Sequence, residues 1–315
     1  MMDRRQLLQT LGVAVTGATA LSARSGDAPR LKFSKNLMWG SIGVQADPRQ
    51  AIAYAEKFGF DSVSASVGDL EKMTPGERND LVRSMKEKEI RWGAGGLPVQ
   101  FRTSNEEFMK GIAAWPQQAK ILHEVGVERV STWILPMHDT IPYVANFNLH
   151  RDRLREAARI LNEEELRLGL EFVGPKTLWT ARRYPFIHSQ LEMQELIAAI
   201  DLPNVGFLLD VWHWYTSGGT VEELNRLRNR DVVEVHISDA PAGLKVEEQK
   251  DSARELPATT GVIDLKSFLE SLVKIEYDGP ISCEPFNRKL NEMENEDALK
   301  ATIDSLNRAF ALVGA

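Results

Sequence analysis

The sequence is poor in the features that mark several common classes of protein. Its 315 residues include one cysteine, Cys283, so neither an intrachain disulfide nor a cysteine-based zinc site can form. No stretch is rich in lysine or arginine and the formal net charge is −7, which argues against a nucleic-acid partner. No segment approaches the ~20 consecutive apolar residues that span a bilayer, so we expect a mature form without a membrane partner. If "GPISCEPF" is a strand, adjacent residues along it point to opposite faces, so Cys283 and Glu284 cannot both face one site. We therefore expect Cys283 to pack in the core.

The first 28 residues differ from the rest and resemble an export signal. A charged start with Arg4 and Arg5 precedes an apolar stretch over residues 7–21, and small residues follow near Ala20 and Ala23. The arginine pair is typical of the twin-arginine type of signal, which carries folded proteins across a bacterial inner membrane. We therefore expect an exported, periplasmic protein whose folded domain covers residues 29–315. A frayed N-terminal helix is the alternative, although the small residues would make a poor amphipathic helix.

Past residue 30, strand-like apolar runs alternate with stretches whose apolar residues recur at the helical spacing. Several helical stretches end in a glycine just before the next run, as at Gly59 and Gly126, which is a common C-terminal cap of a helix. The strand-like runs are "LKFSKNLMW", "FDSVSASV", "IRWGAGGLPV", "VERVSTWIL", "LRLGLEFV", "VGFLLDVW", "VVEVHIS" and "GPISCEPF". Eight strand–helix units predict an α/β fold, a single (β/α)₈ TIM barrel.

An open, doubly wound sheet is the competing architecture for this alternation. That fold normally carries a glycine-rich phosphate turn after its first strand, and Gly40 and Gly43 do not complete that fingerprint. One irregular segment, residues 240–261 after the seventh strand-like run, is long for a compact domain. Loops of this length are usually functional, so we predict that it covers the active site.

Four polar residues fall at the ends of the last four strand-like runs. They are Glu171, Asp210, His236 and Glu284, each separated from the next by about one strand–helix unit. A barrel collects its functional residues at the C-terminal ends of its strands, so these side chains are expected to meet at one mouth. Singly, each has an ordinary explanation as a solvated rim charge or a buried histidine. Together, in register, they predict a shared site.

Three carboxylates and one neutral imidazole would repel each other unless a cation lay between them. Three oxygen ligands and one nitrogen suit a single divalent ion, with Mn²⁺ preferred and Mg²⁺ or Co²⁺ as alternatives, better than tetrahedral zinc. Four protein ligands leave two positions open for two neighbouring oxygens of a substrate. No organic cofactor is needed.

The stretches "GLEFVGP", "LLDVWHWY", "VHISDAP" and "ISCEPF" resemble the sugar phosphate isomerase/epimerase superfamily, the xylose isomerase-like barrels that include ketose 3-epimerases, hydroxypyruvate isomerase and inosose dehydratase. The resemblance covers the second half of the barrel best. It implies that Glu171, Asp210, His236 and Glu284 bind the metal and that the two glutamates also act as the acid/base pair. Its Asp-x-x-His pattern matches Asp210 with His213, which the resemblance implies contacts a substrate oxygen.

The sequence departs from the epimerase pattern at substrate-contacting positions. Ala242 stands where an arginine follows the ligand histidine by six residues, and Thr177, beside Lys176, stands in place of a second glutamate. We expect Lys245 or Arg254 of the loop after the seventh run to supply the missing charge. Further candidates for substrate binding are Lys176 and the aromatic residues Trp179 and Trp214, since sugars pack their C–H faces on aromatic rings; plain core packing of Trp212 and Trp214 is the alternative.

These residues predict a metal-dependent sugar isomerase or epimerase that moves a proton next to a carbonyl through an enediolate. A lyase or dehydratase acting on a keto-sugar or 3-oxo-glycoside could use the same centre, and an exported location favours it because phosphorylated sugars are scarce outside the cytoplasm. A non-catalytic sugar-binding barrel and an endonuclease-like barrel rank lower, the latter because only six histidines are present. The expected partner is a small carbohydrate, and the sequence allows a homo-oligomer.

Overall fold

Eight parallel strands close into a barrel in the computed structural model, which describes residues 31–314. Each strand pairs with its neighbours in the chain, and the first pairs with the last, so the predicted TIM barrel is confirmed. The barrel strands are β1 (Ser34–Leu37), β2 (Ser62–Ala65), β3 (Arg91–Gly96), β4 (Arg129–Trp133), β5 (Arg167–Glu171), β6 (Val205–Asp210), β7 (Val232–Ile237) and β8 (Pro280–Cys283). The predicted export signal lies outside the described residues.

Helices surround the barrel and follow the start signals of the sequence. The helix over Pro48–Phe58 begins at Asp47, whose side chain accepts the Gln50 N–H, and it ends at Gly59, whose φ of 80° favours glycine. The helices are α1 (Pro48–Phe58), α2 (Val67–Lys72), α3 (Pro75–Glu87), α4 (Asn105–Glu124), α5 (Tyr143–Glu163), α6 (Lys176–Trp179), α7 (Gln190–Ile200), α8 (Val211–Thr216), α9 (Val221–Leu224), α10 (Leu265–Lys274), α11 (Arg288–Asn291) and α12 (Asn295–Ala311). Within residues 31–314, no helix is both long and apolar enough to cross a bilayer.

The register of the barrel strands brings polar residues to one end. Trp133 on β4 pairs with Glu171, and Asp210 on β6 pairs with His236 on β7. Glu284 follows β8 directly, and its backbone N–H donates to Ile237 at 3.1 Å. All six residues of β6 and of β7 are buried, as expected for strands covered on both faces. The scaffold therefore delivers four side chains to the same mouth.

The barrel interior below this mouth contains a polar layer. The Asn36 amide donates to the hydroxyls of Ser64 and Ser282, both at 2.9 Å, and its oxygen accepts the Ser62 hydroxyl at 2.9 Å. A Cβ at Gly93 would lie 2.3 Å from the Asn36 oxygen, so only glycine leaves room for this amide. The layer satisfies its own polar groups, as burial requires.

The C-terminal mouth is roofed by irregular segments. Two short antiparallel strands, Met137–His138 and Tyr184–Pro185, join the connections after β4 and β5. Residues 240–261 contain a short 3₁₀ turn, Val246–Glu248, and fold over the same end. Cys283 is buried, as expected, and burial raises the pKa of its thiol.

Candidate metal centre and active-site cavity

Glu171, Asp210, His236 and Glu284 converge at the mouth of the barrel. One ligand atom from each lies within 4.8 Å of the ligand atoms of the other three. The first three side chains are buried, and 14% of the Glu284 side chain is exposed. The predicted ligand residues therefore share one site, although each comes from a different strand.

Burial and neighbouring charges shift the pKa values of the residues in the cluster. Burial, reinforced by the charges of Glu284 and Asp210, raises the pKa of Glu171 well above its ordinary range. Burial also raises the pKa of Asp210 to about 6. Burial alone would lower the pKa of His236, but the carboxylates of Glu284 and Glu234 outweigh it and raise that pKa. Burial and mutual repulsion therefore disfavour the charged forms of Glu171 and Asp210.

The donor set fits a divalent cation. Glu171 Oε1 and His236 Nδ1 are both buried and, among residues 31–314, neither has a hydrogen-bond partner. The two atoms lie 3.7 Å apart, and His236 Nδ1 lies 3.6 Å from Glu284 Oε1. Buried polar atoms are rarely left unpaired, so these inward-facing atoms suggest that they bind an ion. Three carboxylates and one imidazole are donors that Mn²⁺ accepts readily.

Glu234, two residues before His236 on β7, lies below the cluster. Its Oε1 lies 3.3 Å from His236 Nε2, and its other oxygen accepts the Ser131 hydroxyl at 2.6 Å. A carboxylate on the far side of a metal-binding imidazole orients the ring. Glu234 is placed for that role, because Nδ1 on the other side of the His236 ring lies near Glu171 Oε1 and Glu284 Oε1.

Arg254, from the loop after β7, enters the cluster. Its Nη1 donates to Asp210 Oδ2 at 2.7 Å and to Glu284 Oε2 at 3.1 Å. Its guanidinium carbon lies 5.2 Å from the centre of the Trp212 ring and 4.5 Å from that of the Phe286 ring. The residue is 2% exposed, so the loop delivers a fully desolvated positive charge to two of the four carboxylate and imidazole groups.

His213 lies beside this arginine, one turn after Asp210. Its Nδ1 accepts the backbone N–H of Gly174 at 3.2 Å, and burial lowers its pKa well below the ordinary value, with Arg254 adding to the effect. The Nε2 atom lies 3.4 Å from Arg254 Nη2, 3.7 Å from Asp210 Oδ2 and 3.9 Å from Asp251 Oδ1. Asp251 also accepts from Arg254 Nη2 at 2.8 Å.

Asp239 fastens the base of the loop. Burial alone would raise its pKa, but backbone hydrogen bonds from Gly261, Ile263 and others lower it. The carboxylate accepts the backbone N–H groups of Ala240, Thr259, Thr260, Gly261 and Ile263, at 2.8 to 3.2 Å. Its backbone also exchanges two hydrogen bonds of 2.8 Å with Glu255, the residue after Arg254. The position of Arg254 is thus tied directly to the end of β7.

A cavity of about 320 Å³ opens above the cluster. Its polar lining residues are Glu171, His213, Asp251, Arg254 and Glu284. Its apolar lining residues are Trp133, Leu135, Pro136, Met137, Val173, Leu178 and Phe286. A small cavity with a few converging polar groups and an apolar wall is typical of a small-molecule site.

The structure does not bring four of the predicted substrate-binding residues to this cavity. Lys176 and Lys245 are exposed, because each stands at the start of a short helical turn with its side chain outward. Trp179 stacks on His188, with ring centres 4.6 Å apart. Trp214 packs against Phe268 in the helical layer, and its indole N–H donates to a backbone carbonyl, so core packing accounts for it. Arg254 and His213 do line the cavity.

Sequence reasoning missed Glu234, Asp251, Trp133 and Phe286. Glu234 carried a readable signal, since a glutamate inside the fully buried run of β7 needs a partner, and the histidine two residues later shares its face. The other three stand in loops or at a strand end, where no periodicity indicates which way a side chain points.

Comparison with known proteins identifies the family. The profile of the xylose isomerase-like TIM barrel matches residues 52–309. The chain belongs to this family. Among characterised relatives, inosose isomerase of Bacillus subtilis strain 168 is 26% identical over 168 residues, covering 51% of this chain and 56% of that protein. The matched region thus spans little more than half the length of that relative.

Solved structures show the same fold over most of the barrel. A xylose isomerase domain protein from Alicyclobacillus acidocaldarius superposes with a TM-score of 0.78 and 27% identity, covering 87% of this chain and 97% of the other. A protein called IOLI, whose crystal structure holds a zinc atom, superposes with a TM-score of 0.73 and 20% identity, covering 89% and 98%.

Proposed function

We propose that the protein is a divalent-metal-dependent isomerase or epimerase of a small polyhydroxylated ketone or aldehyde. The observation that carries the proposal is the convergence of Glu171, Asp210, His236 and Glu284 beside one cavity, with Glu171 Oε1 and His236 Nδ1 buried and without a hydrogen-bond partner among residues 31–314. The similarity to a protein named inosose isomerase supports the isomerase class, and the zinc atom in the IOLI structure supports a metal in this barrel.

These residues would hold the cation, with two glutamates also moving the proton. When bound, a divalent ion polarises the carbonyl of the substrate and acidifies the neighbouring C–H group. One carboxylate, of Glu171 or Glu284, then removes that proton and leaves an enediolate, while the other returns a proton. Return to the opposite face of the same carbon gives an epimer, and return to the adjacent carbon gives an isomer.

Arg254 and His213 orient the substrate in this proposal. The guanidinium of Arg254 is held by Asp210, Glu284 and Asp251, and it adds positive charge where an enediolate oxygen develops. His213 lines the cavity beside this guanidinium and can contact a substrate hydroxyl. The loop that carries Arg254 also shields the polar floor from water, which strengthens these interactions.

Elimination at the same centre is the second candidate. The same proton removal followed by loss of a group on the next carbon gives a lyase, and such a reaction needs space for the departing group. The cavity of about 320 Å³, with its apolar lining residues, provides such space.

Deuterium exchange separates the candidates. The Mn²⁺-loaded full-length protein is incubated in D₂O with D-fructose and, separately, with methyl 3-oxo-β-D-glucopyranoside, and the products are followed by NMR and mass spectrometry. Carbon-bound deuterium without fragmentation supports the isomerase or epimerase, and metal-dependent release of methanol supports the lyase. Binding of either compound without exchange or cleavage would instead identify a sugar-binding protein and refute both.

A further inference from the structure

The lining of the cavity is of two chemical kinds. Five residues are polar or charged and can chelate, donate or accept protons. The other seven lining residues are apolar. A small sugar can cover an aromatic ring with its C–H face, but its hydroxyl groups and water would still contact the rest of that apolar surface, which is unfavourable.

Trp133 is one of the apolar lining residues, and Arg102 packs against its ring. The indole is 45% exposed although it stands at the end of a barrel strand, β4. The Arg102 guanidinium lies 4.1 Å from the ring centre, and it donates to the Trp133 carbonyl and to the Thr132 hydroxyl. The stacked cation fixes the ring orientation, and the same side chain lines the cavity.

Phe286 also lines the cavity and adopts an unfavourable backbone conformation. Its φ is +38°, in a region that bulky residues rarely occupy, and its side chain is nevertheless 39% exposed. Backbone strain of this kind persists only where the surroundings enforce it, and it clusters at ligand sites. The ring stacks on Arg254, so an apolar and a charged lining residue of the cavity contact each other directly.

We propose that the natural substrate carries an aryl group beside its chelating oxygens, and that the group packs against Trp133 and Phe286. The substrate class is then an aryl oxo-glycoside or another aryl-substituted polyhydroxy ketone, which keeps the carbonyl that proton transfer requires, rather than a free sugar. The inference rests on the proposed function, because the polar floor must bind the sugar portion. Two exposed aromatic rings at the rim of one cavity offer the flat, apolar contact that an aryl ring needs.

The test compares two ligands that differ only in the aglycone. Dissociation constants of methyl β-D-glucopyranoside and phenyl β-D-glucopyranoside are measured by titration against the Mn²⁺-loaded full-length protein. Neither compound has a carbonyl group, so neither is turned over, and the result does not depend on which reaction the centre catalyses. The phenyl compound is expected to bind at least about tenfold more tightly, because burial of an aryl ring outweighs that of a methyl group.

The same titrations are repeated on Trp133→Ala and Phe286→Leu, with Leu191→Ala as the control. Leu191 is an exposed apolar residue on α7 outside this cavity. The preference for the phenyl compound should fall to about twofold or less in Trp133→Ala, should weaken in Phe286→Leu, and should be unchanged in Leu191→Ala. Far-UV circular dichroism and Mn²⁺ affinity check that each variant keeps its fold; if Phe286→Leu does not, Trp133→Ala decides alone.

Equal affinities for the two glucosides in the unmodified protein would overturn the inference, and so would a phenyl preference that survives in Trp133→Ala. Absence of binding by both glucosides would also overturn it. The proposed function fails separately, through the absence of deuterium exchange and of cleavage in the D₂O experiment.

Discussion

Replacing Arg254 with methionine would remove the positive charge that lies among the carboxylates while keeping most of the apolar stem. The guanidinium donates to Asp210, Glu284 and Asp251, and it is almost fully buried. Removing one partner of a buried ion pair leaves the other charges without compensation. We therefore expect Arg254→Met to lose ~3–5 kcal/mol of unfolding free energy when EDTA keeps the protein free of metal.

Metal should reduce that loss. A cation bound at 100 times its Kd adds ~2.7 kcal/mol to the stability of any protein that binds it only when folded. In Arg254→Met the carboxylates no longer share their charge with a guanidinium, so the Mn²⁺ affinity should increase and the stabilisation should exceed that of the unmodified protein. Proton-transfer activity should nevertheless fall by ~10²-fold or more, because a preorganised charge at the developing oxyanion is lost.

Urea unfolding followed by circular dichroism, in EDTA and in saturating Mn²⁺, measures both effects. Arg153→Met is the matched control, because Arg153 is also buried but donates to the backbone carbonyls of Phe101 and Thr103. Its loss of stability should be the same with and without Mn²⁺. The reasoning about Arg254 is wrong if Arg254→Met loses less than about 1 kcal/mol in EDTA, or if its loss does not change with Mn²⁺.

Three further predictions concern single side chains. Glu171→Gln and Glu284→Gln should each keep a weakened Mn²⁺ site but lose ~10²–10⁴ in reaction rate, and excess metal should not restore it. In Asp210→Asn, by contrast, excess Mn²⁺ should restore part of the activity. Titration of metal against activity measures both effects, and full rescue of the glutamine variants would show that the glutamates act only as ligands. Glu234→Gln should weaken Mn²⁺ binding ~10–100-fold, measured by calorimetry, because the ligating imidazole loses its support, and an unchanged Kd would contradict this. Burial lowers the pKa of His150 to about 4, whereas the pKa of a histidine in the unfolded chain is about 6.5. Between these two pH values the unfolded state binds a proton that the folded state does not bind. The contribution of the neutral ring to stability is therefore complete above pH 6.5, and ~3 kcal/mol of it is lost by pH 4. Urea unfolding across this pH range should show a smaller loss in His150→Gln, and equal slopes would contradict the assignment.

Much of the barrel could be read from the sequence because its strands are buried on both sides. The strand that ends at Asp210 is apolar up to that residue, and the strand that ends at Glu171 is apolar between Arg167 and that residue, which makes both the strands and their polar ends visible. The predicted runs were longer than the observed strands: residues 60–67 contain the four-residue strand Ser62–Ala65. Propensity marks the apolar stretch, whereas the strand ends where the hydrogen bonds to its neighbours end, and this depends on tertiary structure.

The loops and rings around the site could be read only in part. Lys245 and Arg254 stand in one irregular segment, and nothing in the local sequence indicates that Arg254 turns inward while Lys245 faces solvent. Trp214 carries the aromatic character expected of a sugar-binding wall, but the geometry of α8 directs it into the helical layer. Trp133 was treated as an ordinary strand residue, because its support by Arg102 depends on a contact between separate segments.

The hydrogen bonds of Asp239 determine how the loop over residues 240–261 can change its length. Hydrogen bonds between Asp239 and Glu255 close residues 240–254 into a ring of chain whose exit lies next to Arg254. The entropy of closing such a ring grows only with the logarithm of its length, so doubling the number of residues costs ~0.6 kcal/mol. Insertions near Val246–Glu248 would therefore lengthen a surface excursion without displacing the guanidinium. The position of Arg254 is then determined by its connection to the barrel rather than by the segment that precedes it. The length of that segment can therefore change while the position of Arg254 stays the same.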